Sequence, residues 1–502
     1  MTHPTGWQPL RTVTAWGLSA ALLLVACSPR TDSPAPSASA YASSSPSPSA
    51  GLSADLALSQ DLRDAVDAAA IRDRLEELET IATTNDGIRA AGTNGYDESV
   101  DYVAEILAAA GYAVTRHEFT FPAFFETAAP TLAVQGGPAF SGPDHLHALI
   151  FSASGEFAAP VAPVALDDTG ATIGHAGCDG DDWDGFPEGA IALVGPGGCF
   201  TRQKVDAAIT AGAVALVAYN SGWEAGQVRR PTLLYPEGVE IPALGASAQV
   251  GEALRAAAAA GASVRLSVRT LIEDRVTTNV IAERSGSGPG AVADEVVMVG
   301  GHLDSVLDGP GINDNGSGTM TTLELAVQLA ELPPTPRTVR VAFWSAEELG
   351  LYGSRAWVDE QSADELDRIV AYLNLDMVAS PNYARIVYDS ADAVAGSDDI
   401  TAAFGAYFDA VGLTWQGEDL AGGSDHAPFD DAFVPTGGLF SGASERMTDE
   451  QAELFGGVAG ASLDACYHLA CDRTDQINAD ALGEMADAAA HVLLWLLENG
   501  LG

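Results

Sequence analysis

The sequence has few basic residues and few long apolar runs, and each shortage excludes a class of protein. Lysine and arginine together number 23 against 69 aspartates and glutamates, which gives a formal net charge of −46. Nucleic acid is not an expected partner, because little basic surface is available to neutralise phosphate groups. Beyond the N-terminal segment, no apolar run is long enough to span a bilayer. The acidity itself indicates a solvated surface that attracts cations.

The N-terminus has the pattern of a bacterial lipoprotein signal. One early positive charge, Arg11, precedes an apolar run that starts at Val13 and is too short for an ordinary spanning helix. The run ends in Leu-Val-Ala-Cys, which resembles the lipobox whose cysteine, here Cys27, becomes lipidated. Residues 28–55 are rich in serine, proline and alanine and predict a disordered tether. We therefore expect an exported protein, lipid-anchored on the outer face of the cell membrane or secreted if released.

The chain has five cysteines, and no CxxC pair of the kind common in structural zinc sites. Besides Cys27, two local pairs occur, Cys178 with Cys199 and Cys466 with Cys471. Local pairs in an exported chain predict disulfides. The second pair encloses a histidine in a short loop, so a bridge there would stiffen a site more than stabilise a fold.

The pattern of predicted helices and strands changes twice after residue 56. Helical patterns over 62–83 and 97–110 and a strand pattern over 114–121 come first. From 132 to 272, short strand patterns alternate with glycine, proline and aspartate. We therefore predict a small α/β domain at 132–272, inserted into a surface loop of a larger domain made of residues 56–131 and 273–502.

The larger domain is predicted to have an α/β fold. Apolar, β-branched runs at 296–299, 339–343 and 369–375 are typical of buried strands. Helical patterns lie between and after them, among others over 317–332, 450–463 and 481–498. This alternation favours a mixed, mostly parallel sheet flanked by helices on both faces.

Three of the predicted strands end in residues that can bind metal ions. These residues are His302 with Asp314, Glu347 with Glu348, and Asp376. Because open α/β sheets place their sites at the carboxyl ends of parallel strands, the side chains are expected to meet. His468, in the loop between Cys466 and Cys471, is the candidate for one more ligand. Two histidines with carboxylates form a ligand set that Zn²⁺ accepts.

The combined pattern resembles peptidase family M28, which includes secreted bacterial aminopeptidases with two zinc ions. The motifs are Gly-Gly-His-Leu-Asp-Ser at 300–305, Asn-Asp-Asn-Gly-Ser-Gly at 313–318, Ser-Ala-Glu-Glu-Leu-Gly at 345–350, Asn-Leu-Asp-Met at 374–377, Ser-Asp-His-Ala-Pro-Phe at 424–429 and Cys-Tyr-His-Leu-Ala-Cys-Asp at 466–472. The resemblance extends from about residue 61 to the C-terminus. The inserted segment is similar to a protease-associated (PA) domain, and the start is like that of actinobacterial lipoprotein aminopeptidases.

The resemblance implies the metal ligands of two Zn²⁺ per chain. Asp314 would bridge both ions, His302 and Asp376 would complete one, and Glu348 and His468 the other. A carboxylate has two oxygens and can bridge ions roughly 3.5–4 Å apart, which a neutral imidazole cannot.

The resemblance also implies roles beyond the metal ligands. Glu347 would be the general base and Tyr467 a hydrogen-bond donor to the oxyanion. Asp304 is expected outside the ligand set, orienting His302 or its loop. His426, in the Ser-Asp-His loop, is assigned to the pocket wall, because five protein ligands are already in place.

Two departures from the family limit what can be transferred. Some members carry arginine where this chain has Gly423, before Ser-Asp-His. Some bind calcium near the C-terminal helix, but Gly483 stands where an acidic residue is expected, although Asp487 remains, so calcium is doubtful.

The expected function is zinc-dependent removal of N-terminal residues from extracellular peptides. Two alternatives stay open: another hydrolase of the same chemistry, such as a dipeptidase, carboxypeptidase or amidohydrolase, and a binding protein built on an inactive peptidase scaffold. The filled ligand and base positions argue against the inactive scaffold.

Overall fold

A computed structural model describes residues 56–501, apart from 168–169, 221–227, 289, 390–392 and 420–421. The predicted signal, the lipidation site Cys27 and the tether lie outside the described residues. Within the described part of the chain, every helix is too short or too polar to cross a bilayer.

Twelve α-helices and fourteen β-strands are described. The helices are α1 Gln60–Ala65, α2 Ala68–Thr84, α3 Asn94–Ala109, α4 Thr201–Thr210, α5 Ala248–Ala260, α6 Gly318–Glu331, α7 Tyr352–Glu360, α8 Ala363–Leu366, α9 Ser397–Val411, α10 Ala427–Asp431, α11 Asp449–Phe455 and α12 Ala479–Asn499. The strands are β1 Ala113–Val134, β2 Ala139–Ser141, β3 Leu146–Ala148, β4 Gly155–Pro163, β5 Ile191–Val194, β6 Ala215–Tyr219, β7 Ala243–Ala246, β8 Ser263–Arg284, β9 Val296–His302, β10 Thr338–Trp344, β11 Ile369–Leu375, β12 Ile386–Tyr388, β13 Gln416–Glu418 and β14 Thr436–Phe440.

The centre of the larger domain is a set of parallel strands in the order β14, β11, β9 and β10. Antiparallel strands β12 and β8 flank this set. Side chains along β9 alternate between two apolar clusters, because successive residues of a strand point to opposite faces. Val297 and Val299 pack against the helices that include α2, α6 and α12, whereas Val296 and Met298 pack against α7 and α10. The structure thus confirms a mostly parallel sheet covered on both faces.

Strands β1 and β8 connect this sheet to the inserted region. They pair antiparallel from Ala113 with Glu283 to Val134 with Val264, so the predicted boundaries at 132 and 272 fall inside them. One end of β8 pairs with β10, and the other end pairs with β4, which begins the parallel series β4, β5, β6 and β7. The limits of the inserted domain themselves stay a prediction.

Two predicted helices were wrong in extent. The pattern over 62–83 forms two helices, because Val66 is extended and the Asp67 side chain caps the second helix by accepting from the Ala69 N–H. The helix predicted over 450–463 ends at Phe455. Gly456 and Gly457 follow with φ of +81° and +88°, a conformation that ends a helix and favours glycine.

A buried arginine shapes the loop that leaves β9. Arg89 is fully buried, and its guanidinium donates to the carbonyl oxygens of Leu303, Pro310 and Gly311 at 2.5–2.9 Å. Its main-chain N–H also donates to Ser305 Oγ at 2.9 Å. The two ends of the 303–311 loop are therefore tied to one side chain. Because His302 precedes this loop and Asp314 follows it, Arg89 holds the two segments that carry these residues together.

Replacing Arg89 by methionine is expected to destabilise the fold by several kcal/mol, since each buried carbonyl left unpaired costs about 1–3 kcal/mol. Denaturant unfolding followed by circular dichroism measures the change. The matched control is Arg72→Met on α2, whose side chain is exposed and pairs with Glu76, and where a change within about 0.5 kcal/mol is expected. Equal stability of the two variants would show that Arg89 is not a structural tie.

Candidate metal centre

The parallel strands β9, β10 and β11 all end at one edge of the sheet. His302 ends β9 and lies level with Trp344, the last residue of β10. Glu347 and Glu348 follow β10 after a short turn, and Asp376 directly follows β11. The carboxyl ends of parallel strands share an edge, so residues far apart in the chain become neighbours. Asp314 reaches the same edge from the irregular turn Ile312–Ser317, which precedes α6.

Asp314 lies between two imidazole rings. Its Oδ1 is 3.4 Å from Nε2 of His302, and its Oδ2 is 3.0 Å from Nε2 of His468. The same His302 nitrogen is 3.5 Å from Oδ1 of Asp376, and the His468 nitrogen is 3.1 Å from Oε2 of Glu348. The five predicted ligands therefore form two groups that share Asp314. One donor atom from each of His302, Asp314 and Glu348 lies within 4.8 Å of the other two.

Several oxygen atoms in this cluster suit a cation better than a hydrogen bond. Oδ2 of Asp314, Oε1 of Glu348 and Oδ1 of Asp376 are buried and have no hydrogen-bond partner among the described residues. Buried carboxylates are ordinarily paired or bound to metal. On the histidine side, Nδ1 of His302 lies 3.1 Å from the main-chain oxygen of Asp304 and donates to it, which leaves Nε2 facing the carboxylates of the cluster. This donor set fits Zn²⁺.

The cluster also has more negative than positive charge. Burial raises the pKa of Asp304 to about 7, as does burial of Asp425 in the neighbouring Ser-Asp-His loop. Burial would lower the pKa of His468, but Glu348 and Asp314 outweigh it and raise the pKa to about 10. Close carboxylates disfavour joint ionisation, and divalent cations at their centre would remove that penalty.

Glu347 lies next to the candidate ligands. Its Oε2 is 3.9 Å from Nε2 of His302, and its main-chain N–H donates to Oδ1 of Asp304 at 3.2 Å. Asp304 therefore contacts both His302, through its carbonyl oxygen, and Glu347, through its carboxylate. Burial, with Glu348, Asp425 and Asp376 adding to it against the opposing effect of His302, holds the pKa of Glu347 well above its ordinary value. A carboxylate with a raised pKa is a stronger proton acceptor.

Tyr467 and His468 occupy the loop closed by the Cys466–Cys471 disulfide, and the second predicted pair, Cys178 with Cys199, is also bonded. The Tyr467 ring stacks on the His468 ring with centroids 3.7 Å apart. Burial and the nearby carboxylates raise the pKa of Tyr467 well above its usual value, so the phenol stays protonated and can donate. His468 adopts a left-handed backbone with φ of +61°, which a non-glycine residue keeps only where its surroundings hold it.

Residues that the sequence analysis did not single out hold the ligands in place. Ser424 donates to Oδ2 of Asp376 at 2.6 Å. Asp472 accepts from the main-chain N–H groups of Asn313 and Asp314 at 2.7 and 3.0 Å, and so ties the Asp314 turn to the loop that carries His468. Both residues lie inside motifs that the sequence analysis recognised, so the motifs could have pointed to them. The residues that they contact could not be predicted from the spacing of residues in the sequence.

His426, which the sequence assigns to the pocket wall, is not part of either ligand group. It is buried, packs edge-on against Tyr388 with ring centroids 4.9 Å apart, and burial lowers its pKa to about 4. Burial therefore keeps the His426 imidazole neutral.

Two protein families match this chain, one over the larger domain and one over the inserted region. Residues 279–493, which contain all the candidate ligands, match peptidase family M28, and residues 158–254 match the PA domain. An aminopeptidase of Pseudomonas aeruginosa is 39% identical over 433 residues, which are 84% of this chain and 80% of that protein. The chain belongs to peptidase family M28. A Mycobacterium tuberculosis protein of this family, named probable lipoprotein aminopeptidase LpqL, is 39% identical over 84% of this chain and 83% of its own.

Solved structures of two aminopeptidases share the fold. An aminopeptidase from Aneurinibacillus sp. strain AM-1 superposes with a TM-score of 0.67 at 24% identity, over 87% of this chain and 95% of its own. BSAP, a zinc aminopeptidase from Bacillus subtilis, superposes with a TM-score of 0.66 at 24% identity, over 86% of this chain and 96% of its own. Together with the family match, these relatives confirm the predicted enzyme class, a metallo-aminopeptidase of the M28 family.

Asp314→Asn is expected to weaken zinc binding by more than about 100-fold, beyond the usual effect of losing a partner outside the ligand set. The asparagine side chain is neutral and has one oxygen where the carboxylate has two, so it binds a cation less well. Zinc per chain, measured by atomic emission after dialysis against a weak chelator, reports the loss. Asp431→Asn, an exposed carboxylate paired with Arg355, is the control. Wild-type zinc content in Asp314→Asn would remove Asp314 from the ligand set.

Proposed function

We propose that this chain is a two-zinc aminopeptidase that removes N-terminal residues from extracellular peptides. The observation that carries the proposal is the position of Asp314, which presents one oxygen to His302 and the other to His468. A carboxylate placed in this way can bridge two cations, the arrangement that paired-metal hydrolases use. His302 and Asp376 are the proposed further ligands of one ion, and Glu348 and His468 those of the other.

The chemistry assigned to the cations is general to such sites. Bound zinc would lower the pKa of a water molecule toward neutrality and polarise the carbonyl group of the scissile bond. The remaining steps belong to side chains of this chain.

Glu347 is the proposed general base. Its position beside His302 suits a group that takes a proton from the attacking water and passes it to the leaving amine. The contact between its N–H group and Asp304 fixes the start of the side chain. Tyr467 is the proposed donor to the oxyanion, because its phenol stays protonated beside His468.

Two carboxylates are available to bind a free α-amine. Glu347 and Asp376 both lie within 4 Å of the same His302 nitrogen, so an ammonium group placed at this edge would meet two negative charges. This pairing favours an aminopeptidase over the carboxypeptidase and amidohydrolase alternatives, which do not need an α-ammonium as their anchor, and it leaves the dipeptidase alternative open.

Export and a lipid anchor at Cys27 are part of the proposal. They are supported by the lipobox-like start, by the tether composition and by the lipoprotein name of the Mycobacterium tuberculosis relative.

Blocking the substrate amine is expected to abolish most turnover. Leucine p-nitroanilide should be hydrolysed, and N-acetyl-leucine p-nitroanilide should show a kcat/KM lower by about 10⁴-fold, because the acetylated amine leaves buried charges unpaired. Release of p-nitroaniline measures both, and a chelator-treated sample controls for metal dependence. Equal cleavage of the two substrates would exclude an aminopeptidase.

Glu347→Gln is expected to keep wild-type zinc content while kcat falls by about 10²–10⁴-fold, the usual contribution of a general base. Glu360→Gln, on the exposed end of α7, is the matched control and should leave kcat unchanged. Full activity of Glu347→Gln would show that another group takes the proton, and lost zinc would show that Glu347 is a ligand.

A further inference from the structure

A short segment of the inserted region, residues 229–234, lies along the edge of the metal centre, and we call it the rim segment. It is anchored on its own region by a bridge between Thr232 and Ile150 and by the Leu233 N–H, which donates to the Ile150 carbonyl at 3.2 Å. From that anchor it contacts each of three loops that carry candidate catalytic groups.

The first contact is with the loop between His302 and Asp314. Nη2 of Arg230 lies 2.7 Å from Oδ1 of Asp308 and 2.8 Å from Nδ1 of His147, and the Arg230 side chain is 9% exposed. A largely buried pair of this kind is costly to break from one side, because the remaining charge stays unpaired. The rim segment is therefore fixed against the loop after β9.

The second contact is with the turn that carries Glu347 and Glu348. Oγ1 of Thr232 donates to the Leu349 carbonyl at 2.9 Å. The backbone of Leu234 passes so close to Gly350 that a Cβ atom at position 350 would lie 2.4 Å from the Leu234 oxygen. Leu349 is also buried in the apolar cluster of the inserted region, together with Leu233. The rim segment and the general-base turn thus pack as one unit.

The third contact reaches the loop of His468. Cζ of Arg229 lies 5.7 Å from the centroid of the Tyr467 ring, within the range of a cation–π attraction. The other neighbour of that ring is His468, stacked at 3.7 Å. Arg229 therefore brings a guanidinium group from the inserted region to the side of the proposed oxyanion donor, in a site otherwise rich in carboxylates.

We propose that the rim segment is a wall of the substrate cleft and that Arg229 binds the peptide substrate there. Its guanidinium donates to the main-chain oxygen of the residue that follows the scissile bond. Arginine presents several N–H donors in a fixed fork and cannot lose its charge, which suits a peptide oxygen beside a negative cluster. The inference rests on the proposed aminopeptidase function, and it gives the PA-like region a part in substrate specificity.

Two substrates separate this role from a structural one. Leucyl-glycinamide has the main-chain oxygen after the scissile bond, whereas leucine p-nitroanilide does not. For Arg229→Met we expect KM for leucyl-glycinamide to rise by about 10- to 100-fold, the value of a hydrogen bond to a charged donor. The kinetics of leucine p-nitroanilide should stay within about twofold of wild type. Arg265→Met, an exposed arginine of the same region paired with Glu156, is the matched control and should change neither substrate.

Each other result overturns the inference. An unchanged KM for leucyl-glycinamide would mean that Arg229 does not contact the substrate. An equal loss on both substrates would mean that it acts through Tyr467. Arg229→Lys keeps the charge without the fork and carries the same test if the methionine variant fails to fold; a smaller rise confined to leucyl-glycinamide is then expected. Failure of the proposed function is distinct, because it would be seen in the wild-type protein, which would then cleave neither substrate or would cleave N-acetyl-leucine p-nitroanilide as well as leucine p-nitroanilide.

Discussion

The structure depends on keeping several carboxylates together in a buried place. Asp314 sits between two imidazole rings, with Glu348 and Asp376 on either side and Glu347 close by. Without positive charge nearby, buried carboxylates so close together resist ionisation. Burial and like charge therefore raise the pKa values of Asp304, Glu347 and Asp425. Divalent cations would supply that positive charge, and binding the metal would then also stabilise the site.

The scaffold holds these charges by hydrogen bonds to the main chain rather than by further ion pairs. Arg89 gathers three carbonyl groups of one loop, and Asp472 gathers two N–H groups of the next turn. Asp304 contacts His302 by its carbonyl oxygen and the Glu347 N–H by its carboxylate. Main-chain groups cannot rotate away as long side chains can, so this support fixes the ligands closely, as a hydrolytic site requires.

The inserted region is part of this support. Its rim segment contacts the loops of His302, Glu347 and His468 through Asp308, Leu349 and Tyr467, respectively. One β-strand, β8, pairs with the central sheet at one end and with the inserted region at the other. A movement of that region relative to the central sheet would therefore displace the turn that carries Glu347 and Glu348.

The sequence by itself determined the fold class, the family and the identity of the candidate ligands. Buried strands have a distinctive apolar run, and each ligand lies at a strand end or inside a recognisable motif, so local pattern was sufficient. It also identified both disulfide pairs. The placement of Asp314 between the two histidines was implied only by the family resemblance and not by local pattern, because His302 and His468 are brought together only by the closure of the sheet edge.

Tertiary structure alone decided the contacts of Arg89, Asp472 and Arg229. Each acts on a partner far away in the chain, and no spacing rule relates them. The two helices predicted with the wrong extent have a local cause instead: a cap at Asp67 and the positive φ angles of Gly456 and Gly457 outweighed apolar periodicity. Local chemistry names the residues of this enzyme, and long-range packing sets their geometry.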